Sequence, residues 1–464
     1  MARIHPMPSA DAAWFHMDRP TNHMVINAVL TFDDPLSLER LAGLVQERIV
    51  TPFPTFRRVV VERGPFGALH WEDAPHFDLG LHLHRLALPA PGDDAALQEL
   101  VGDLMGAGLD RDKPLWDMYL VEGYGAGCAL VVRMHHCIAD GVALARVMLR
   151  MTDGAGDDAP AVRAPAPPVQ RGRVSAVAGP LRSAASLARG AAAGLAHEGI
   201  HTLLHPEHVL ELGRGAFDDA AALAALLTQP PEHPSLLKGE HGPAQRVGWT
   251  PPLPLAEVKE TAHATATTVN DVLMAALSGA LDRYLRERGE PVEELHVMVP
   301  FNVRPADEPL PAELGNKFGL INLALPLGAP SPEARLADVA RRMADIKRSR
   351  QPAMSYALIA ALGLAPVQLE DLAIDLFTGE ATAVVTNVPG PREPVHLAGV
   401  PVRDVLVWAP CAGSIGMSVS IFSLCGAVTV GFMTHASLVP DPAVLAGHLT
   451  AELHALRAGA YASS

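Results

Sequence analysis

The chain has 464 residues, of which 49% are hydrophobic and 19% charged, and its formal net charge at pH 7 is −15. This composition is typical of a folded globular protein, and the length favours more than one lobe. The negative charge argues against nucleic acid as a partner and against docking on anionic lipid through a basic segment.

The first part of the chain alternates strand and helix patterns. Strands are predicted where β-branched and apolar residues run together, and helices where apolar residues recur at spacings of three and four. In chain order the predicted elements are a strand at 24–32, a helix at 36–48, strands at 58–62 and 79–88, a helix at 94–105 and a buried strand at 128–134. We therefore expect a lobe in which helices cover a mixed sheet.

Two adjacent histidines, His135 and His136, directly follow the buried strand at 128–134, and Asp140 and Gly141 complete an HHxxxDG pattern. Because neighbouring strand residues point to opposite faces, the two histidines cannot both face one cavity. One imidazole can act as a general base on a hydroxyl while the other packs or orients its surroundings. A bare histidine pair more often belongs to a solvated loop, but the full pattern after a buried strand favours a catalytic site.

Residues 153–168 are rich in alanine, proline, glycine and aspartate, which indicates an exposed linker, and an alanine-rich helical region follows. The predicted division is a first lobe at 1–170, a linker with alanine-rich helices at 171–245 and a second lobe at 246–464.

The second lobe repeats the mixture of strands and helices. The predicted elements are a helix that follows Thr268-Val269-Asn270-Asp271 and stops near Gly289, strands at 295–299 and 320–325, a helix from Ser331-Pro332, a strand at 383–386 and a hairpin of strands at 417–422 and 427–432. The hairpin lies in an uncharged run between Asp404 and His435. Because this run is rich in glycine and alternates with period two, we expect no membrane span there or elsewhere.

Neither a disulfide framework nor a metal site is expected. The cysteines form no CxxC pair and fit the reduced thiols of a cytosolic protein: Cys128, Cys137, Cys411 and Cys425. A thiolate nucleophile at Cys137 is disfavoured because no orienting third group is evident. His201, His205 and His208 suggest a metal site, but Pro206 would disrupt the helix needed to align them.

Several short blocks along the chain match one family. The blocks are Ser9-Ala10-Asp11, Pro114-Leu115-Trp116, the HHxxxDG box, Asn270-Asp271, Val299-Pro300-Phe301-Asn302-Val303-Arg304, Gly315-Asn316 and Thr386-Asn387-Val388-Pro389-Gly390-Pro391. In content and order the chain resembles the bacterial wax ester synthase/acyl-CoA:diacylglycerol acyltransferases, relatives of chloramphenicol acetyltransferase-like, condensation-domain and BAHD enzymes. The HHxxxDG box alone would fit any member of this superfamily, whereas the PLW, ND and NVPGP blocks together point to this branch.

The resemblance implies an α/β fold with mixed sheets, in which two chloramphenicol acetyltransferase-like lobes meet across a tunnel. It implies that acyl-CoA enters on one side as co-substrate, with no further cofactor, and a long-chain alcohol or diacylglycerol on the other. His136 would remove the acceptor's hydroxyl proton, with His135 beside it, and the product would be wax ester, triacylglycerol or both. A cytoplasmic protein, peripheral at membranes or lipid inclusions, is expected on the same basis.

The resemblance also assigns roles around the base. It implies that Asp140 bonds an arginine of the other lobe, for which Arg304 is the candidate; alternatively, Arg304 lies on the tunnel wall. Asn270 is expected either beside the tetrahedral intermediate or as a helix N-cap, since both fit the start of a helix. Asp271 suits the helix dipole, and Gly141 suits the turn, so both are expected to support the site.

Other expectations have open alternatives. The block Pro114-Leu115-Trp116 borders the acyl-chain cavity in the family, although in isolation it fits a core turn. Near the C-terminus the family often shows a Ser-Tyr step, where this chain has Phe422-Ser423-Leu424. A relative that uses carrier-protein-bound acyl groups is the main alternative. A non-catalytic lipid-binding protein is disfavoured by the intact motif, and a serine hydrolase by the lack of GxSxG.

Overall fold

The computed structural model describes residues 4–63, 68–153, 235–302, 311–316, 318–348, 379 and 381–462. The helices are α1 (Ser9–His16), α2 (Leu38–Val45), α3 (Asp94–Gly106), α4 (Gly141–Leu149), α5 (Leu255–Ala264), α6 (Val269–Glu287), α7 (Pro332–Arg348) and α8 (Pro442–Ala462). The strands of the first half are β1 (Ile4–Pro6), β2 (Val25–Phe32), β3 (Arg58–Arg63), β4 (Ala68–Asp73), β5 (Leu83–Ala87), β6 (Trp116–Tyr124) and β7 (Gly127–His135). Those of the second half are β8 (Gln245–Trp249), β9 (Leu253–Pro254), β10 (Glu294–Asn302), β11 (Phe318–Pro326), β12 (Ala383–Pro389), β13 (His396–Leu397), β14 (Val400–Pro401), β15 (Asp404–Trp408), β16 (Met417–Leu424) and β17 (Ala427–His435).

The first main sheet has the strand order β15-β2-β7-β6-β5. Every residue of β2 and of β7 is buried, so both central strands are covered on their two faces. This explains why both segments are mostly apolar and show no regular alternation with polar residues, although Asn27, Thr31 and Arg133 are buried within them. A three-stranded sheet, β1-β4-β3, lies beside it in the same half of the chain.

The second main sheet has the order β11-β10-β12-β16-β17-β8, and β9 also pairs with β17. Strand β12 is parallel to both of its neighbours, β10 and β16, whereas β16 and β17 form an antiparallel hairpin. The hairpin turn consists of Cys425 and Gly426, whose φ angles of 49° and 84° are those of a two-residue turn with both residues left-handed. The predicted class, helices packed on mixed sheets, is confirmed.

The hairpin, loop and helix around β7 recur around β17. Each strand ends at a histidine, and the amide three residues on donates to that histidine's carbonyl oxygen at 3.0 Å in both cases (Ile138 to His135, Leu438 to His435). A helix then begins directly after an aspartate in each half. The second half has Ala436 where the first has His136, so it lacks the second histidine of the motif.

Strand β15 belongs to the first sheet although it lies late in the sequence. It pairs antiparallel with β2, with Asp404 opposite Thr31 and Trp408 opposite Asn27. The predicted division placed this segment in the second lobe, but its backbone hydrogen bonds are with the first sheet. The two halves of the chain are therefore joined by a shared sheet.

Two predicted elements differ in detail from the structure. The predicted helix at 36–48 continues beyond α2 as a wider π-helical turn, Gln46–Val50. The predicted strand at 79–88 starts as a tight helical turn, Leu79–Leu81, because the Asp78 carboxylate accepts from the Gly80 amide at 2.9 Å.

Some expectations fall outside the described residues. These include most of the predicted linker, its alanine-rich helices and His201, His205 and His208. Within the described part of the chain, no helix combines the length and the apolar character needed to cross a bilayer.

A glycine-to-alanine pair tests the packing of β15 against the second sheet. A Cβ on Gly431 would lie 2.6 Å from Leu406 and 2.7 Å from the Trp408 ring, which is fully buried. Gly431→Ala should therefore lower the free energy of unfolding by about 1–3 kcal/mol. The control Gly447→Ala, in helix α8 with nothing within 4 Å, should raise it by about 0.5–1 kcal/mol. Urea unfolding measures both, and equal effects would contradict this packing.

Candidate active site

The two histidines sit where β7 ends and the chain turns toward α4. The His135 amide donates to the Leu115 carbonyl at 2.9 Å, and the His136 amide donates to the Met24 carbonyl at 2.7 Å. The backbone of the pair is thus held from both sides, by the segment before β6 and the segment before β2. This fixes the direction in which each imidazole leaves the strand.

His135 is directed at a buried carboxylate. Its Nδ1 accepts from the Cys137 amide at 3.1 Å, so its proton lies on Nε2, which is 3.8 Å from Asp18 Oδ2. Burial lowers the pKa of His135, although Asp18 raises it in part. Burial raises the pKa of Asp18, but the nearby side chains of His135, His23 and Arg111, of which Arg111 donates a hydrogen bond at 2.9 Å, outweigh this effect and leave that pKa far below its usual range. A neutral His135 beside an ionised Asp18 therefore organises the loop.

His136 has different neighbours. Its ring stacks on Trp14, with 4.1 Å between centroids, and lies 5.4 Å from the ring of Phe318. Its Nδ1 is buried and has no hydrogen-bond partner among the described residues. Burial lowers the pKa of His136 to about 4, although the charge of Asp140 raises it in part. At neutral pH the imidazole is therefore uncharged and can accept a proton.

One amide side chain links the histidine loop to two distant segments. Asn316 donates through Nδ2 to the His136 carbonyl oxygen and to Asp11 Oδ1, both at 2.8 Å. Its backbone amide donates to the same Asp11 oxygen at 3.0 Å. In the sequence, Asp11 and Asn316 stand out only as parts of the family resemblance, and no local pattern indicates their role at the site. The one available signal was a carboxylate in the otherwise apolar Ala10-Asp11-Ala12-Ala13 stretch.

Asp140 caps the helix that follows the motif. Its Oδ1 accepts from the Ala143 amide at 2.8 Å, and the residue is 2% exposed. The proposed partner, Arg304, lies outside the described residues, so that ion pair stays a prediction. Gly141 starts α4 with a helical backbone, and a Cβ there would meet nothing within 4 Å. The glycine leaves open space beside the loop.

The start of α6 places Asn270 next to the NVPGP block. Thr268 is the N-cap, and Asp271 completes a reciprocal capping box with it, so the interpretation of Asn270 as the cap is wrong. Through this capping box, Asp271 supports the start of α6. Asn270 Oδ1 instead accepts from Asn387 Nδ2 at 2.6 Å.

The PLW block lies in the core beneath the histidines. Trp116 is fully buried, donates from Nε1 to the Phe56 carbonyl at 3.0 Å and stacks on His82. Leu115 supports the histidine loop through its carbonyl oxygen. Pro114, Leu115 and Trp116 do not line either cavity described below, and their role as a substrate wall stays a prediction.

The thiol beside the motif is unsuited to nucleophilic attack. Burial raises the pKa of Cys137 well above its usual value, so the protonated thiol predominates. Cys128 and Cys411 are also buried, and Cys425 is exposed in its hairpin turn. The structure thus argues against a thiolate mechanism.

Two cavities lie on opposite faces of the parallel strands β12 and β16. The larger, about 1010 Å³, is lined by residues of both strands together with α5, α6, α7, β10 and β11. The smaller, about 110 Å³, lies between the same strands and β2, β7 and α4. On β16, Ile421 and Ser423 line the larger cavity, whereas Phe422 and Leu424 line the smaller. Because successive side chains of a strand point to opposite faces, β12 and β16 form a partition between the two cavities.

The His136 ring is not among the described residues that line either cavity. Phe318, which contacts the ring, is three residues before Ile321 in β11, and Ile321 lines the larger cavity. At about 3.3 Å per residue this is roughly 10 Å along the strand. Gly141, five residues after His136, lines the smaller cavity.

The family of the chain is shown by comparison with known protein families. The catalytic domain of wax ester synthase/diacylglycerol acyltransferases matches residues 7–273, and the C-terminal domain of the same family matches residues 314–457. The chain belongs to the wax ester synthase/diacylglycerol acyltransferase family. The predicted family is confirmed, and the protein is an O-acyltransferase.

Individual relatives agree with this family. A Mycobacterium tuberculosis protein named as a probable diacylglycerol O-acyltransferase is 29% identical over 457 residues, which cover 96% of this chain and 94% of the relative. The solved wax ester synthase/diacylglycerol acyltransferase from Marinobacter aquaeolei VT8 superposes with a TM-score of 0.69 at 20% identity, covering 98% and 100% of the two chains. The first condensation domain of the calcium-dependent antibiotic synthetase gives 0.60 at 18% identity, covering 99% and 96%. These solved structures show that the two-lobed fold is shared.

A double-mutant cycle tests the Asp11–Asn316 contact. Each of Asp11→Ala and Asn316→Ala should destabilise the acyltransferase, because each removes buried hydrogen bonds between the two residues. The double variant should cost less than the sum, with a coupling of about 0.5–3 kcal/mol in the free energy of unfolding. Strictly additive losses in urea unfolding would contradict a direct contact.

The buried histidines predict loss of stability in acid. Burial lowers the pKa of His136 to about 4 and that of His435 to about 3, whereas the unfolded side chains titrate near pH 6.5. Between those values the unfolded chain binds more protons, so the free energy of unfolding should fall as the pH drops from about 6.5 toward 4. Urea unfolding at pH 7, 6 and 5 measures this slope.

A matched pair of variants assigns the slope to burial. His435→Gln should reduce it by the contribution of one histidine, whereas replacing the exposed His396 with glutamine should leave it unchanged. A stability that is constant or rises on acidification would contradict the assignment.

Proposed function

We propose that the protein transfers a long-chain acyl group from acyl-CoA to a fatty alcohol, a diacylglycerol or both, with His136 as general base. The observation that carries this proposal is the uncharged, buried imidazole at the motif position, with its main-chain carbonyl tied to Asn316. The names of the relatives, which describe diacylglycerol acyltransferases and a wax ester synthase, support the choice of substrates.

The proposed reaction needs one base and no external reagent. The His136 imidazole takes the proton of the acceptor hydroxyl as its oxygen attacks the thioester carbonyl carbon. The tetrahedral intermediate then collapses, the carbon–sulfur bond breaks and the imidazolium returns the proton to the CoA thiolate. The products are an ester and free CoA. A positioned base contributes about 10²–10⁴-fold to the rate of such a step.

The paired amides at the larger cavity are candidates for stabilising the intermediate. Asn387 donates to the side-chain oxygen of Asn270. The amide hydrogens of Asn270 have no acceptor among the described residues and can donate to a substrate. Both residues line the cavity, and Asn270 lies in the first turn of α6, where the helix dipole favours negative charge. Such preorganised donors lower the energy of a developing oxyanion.

The apolar walls suit long hydrocarbon chains. Burying each methylene contributes about 0.8 kcal/mol, whichever chain supplies it. An apolar wall discriminates one methylene more or less by only about 1–3 kcal/mol. The protein should therefore accept acyl groups of several lengths.

The direct test offers palmitoyl-CoA with hexadecanol or with diolein to purified protein. Release of free CoA thiol and formation of the matching ester are followed in parallel, and both are expected. Thiol release without ester would indicate a hydrolase. No release with either acceptor would contradict the proposal and favour a donor bound to a carrier protein, as condensation domains use.

His136→Gln should lower kcat by at least about 10²-fold while the thermal unfolding midpoint changes little, because the base is lost and the ring volume is nearly kept. The matched control is His435→Gln, which replaces the buried histidine at the equivalent strand end of the second sheet and should retain most turnover. Comparable turnover in the His136 variant would overturn the assignment of the base.

A further inference from the structure

The larger cavity has an unusual charge for this chain. The protein contains 51 acidic and 36 basic residues, yet the described lining of the cavity includes Lys259 and Arg392 and no aspartate or glutamate. The described lining of the smaller cavity includes no charged residue at all. Positive charge is therefore concentrated on one side of the partition formed by β12 and β16.

Both cations are available to a ligand. Neither Lys259 nor Arg392 has a hydrogen-bond or ion-pair partner among the described residues, and both are exposed. Other arginines are matched to carboxylates, such as Arg335 with Glu452 at 2.9 Å. Two solvated cations without a carboxylate in the same cavity wall attract anions more strongly than such neutralised pairs do.

The surroundings of the two cations favour an anion attached to a long apolar group. Lys259 lies on α5, and Arg392 directly follows the NVPGP block, whose first three residues end β12. The first turn of α6, with Val269 and Asn270, lines the same cavity and adds the positive end of a 19-residue helix. The remaining wall is largely apolar, as Leu273, Ile421 and other aliphatic residues show.

We propose that Lys259 and Arg392 bind the phosphate groups of the acyl-CoA donor at the larger cavity, so that the donor enters the molecule on this face of β12 and β16. This inference rests on the proposed acyl-CoA chemistry. The nucleotide end of CoA carries a diphosphate and a 3′-phosphate, whereas its pantetheine arm is uncharged and its acyl chain is apolar. Lysine and arginine hold the phosphates, and the apolar interior receives the rest.

A binding experiment tests the cations without requiring turnover. Calorimetry compares coenzyme A with pantetheine, which lacks every phosphate, on the wild-type protein and on a Lys259→Gln/Arg392→Gln variant. The double substitution should weaken the binding of coenzyme A about tenfold, as expected for a lost charge-assisted contact at a solvated site. It should change the affinity for pantetheine little. The control Arg85→Gln removes an exposed cation of β5 that pairs with Glu122 and should not alter coenzyme A binding.

Kinetics give the second measurement. The ratio of kcat/KM for palmitoyl-CoA to that for S-palmitoyl-N-acetylcysteamine, a phosphate-free donor, should fall about tenfold in the double variant, mainly through the KM for palmitoyl-CoA. Raising the salt concentration should raise the KM for palmitoyl-CoA more in the wild type than in the variant, because salt screens the contacts between the cations and the phosphates.

The outcomes separate this inference from the proposed function. Equal loss for coenzyme A and pantetheine, or no loss for coenzyme A, would overturn the phosphate assignment even if the wild type makes ester. If the wild type makes no ester from either donor but binds coenzyme A through the two cations, the proposed reaction fails while the phosphate site stands.

Discussion

The position of His136, the proposed base, depends on one contact between distant parts of the chain, made by the side-chain amide of Asn316. It bonds the carbonyl oxygen of His136, 180 residues earlier in the chain, and the carboxylate of Asp11, 305 residues earlier. Asp11 and Asn316 are both buried, so neither hydrogen bond competes freely with water. His136 belongs to the first half of the chain, but its carbonyl oxygen is held by a residue of the second half. An ordered site therefore requires both halves to be folded and in contact.

The two strands that separate the cavities, β12 and β16, contribute side chains to both of them. Because successive side chains point to opposite faces, β12 and β16 present amide and hydroxyl groups such as Asn387 and Ser423 on one side, and Val388 and Phe422 on the other. The Phe422-Ser423-Leu424 step, which departs from the family's usual Ser-Tyr, follows this alternation. A one-residue slip in register would exchange the lining of the two cavities. The sheet register thus determines which of these side chains line the larger cavity and which line the smaller.

Local patterns predicted the parts of the site that are local. The buried strand before His135 and the hairpin at Cys425-Gly426 are determined by neighbouring residues, so their patterns were sufficient. The capping box of Thr268 with Asp271 is also a local pattern, and it identifies Thr268 and not Asn270 as the N-cap. Contacts such as Asp11 with Asn316 were not predictable, because no local rule relates residues 305 positions apart. The pairing of β15 with β2 was missed for the same reason, since strand patterns do not name their partners.

The placement of β15 limits how this fold can be recombined. A strand encoded near residue 404 completes the sheet that presents the histidine motif, and its Trp408 packs under Gly431 of the other sheet. A fragment ending before this strand would leave the β2 edge uncovered and open to pairing with other chains. Chimaeras that exchange halves between relatives should therefore take residues 404–408 from the same parent as the first half. Each sheet then comes from one parent, although its strands are not contiguous in the sequence.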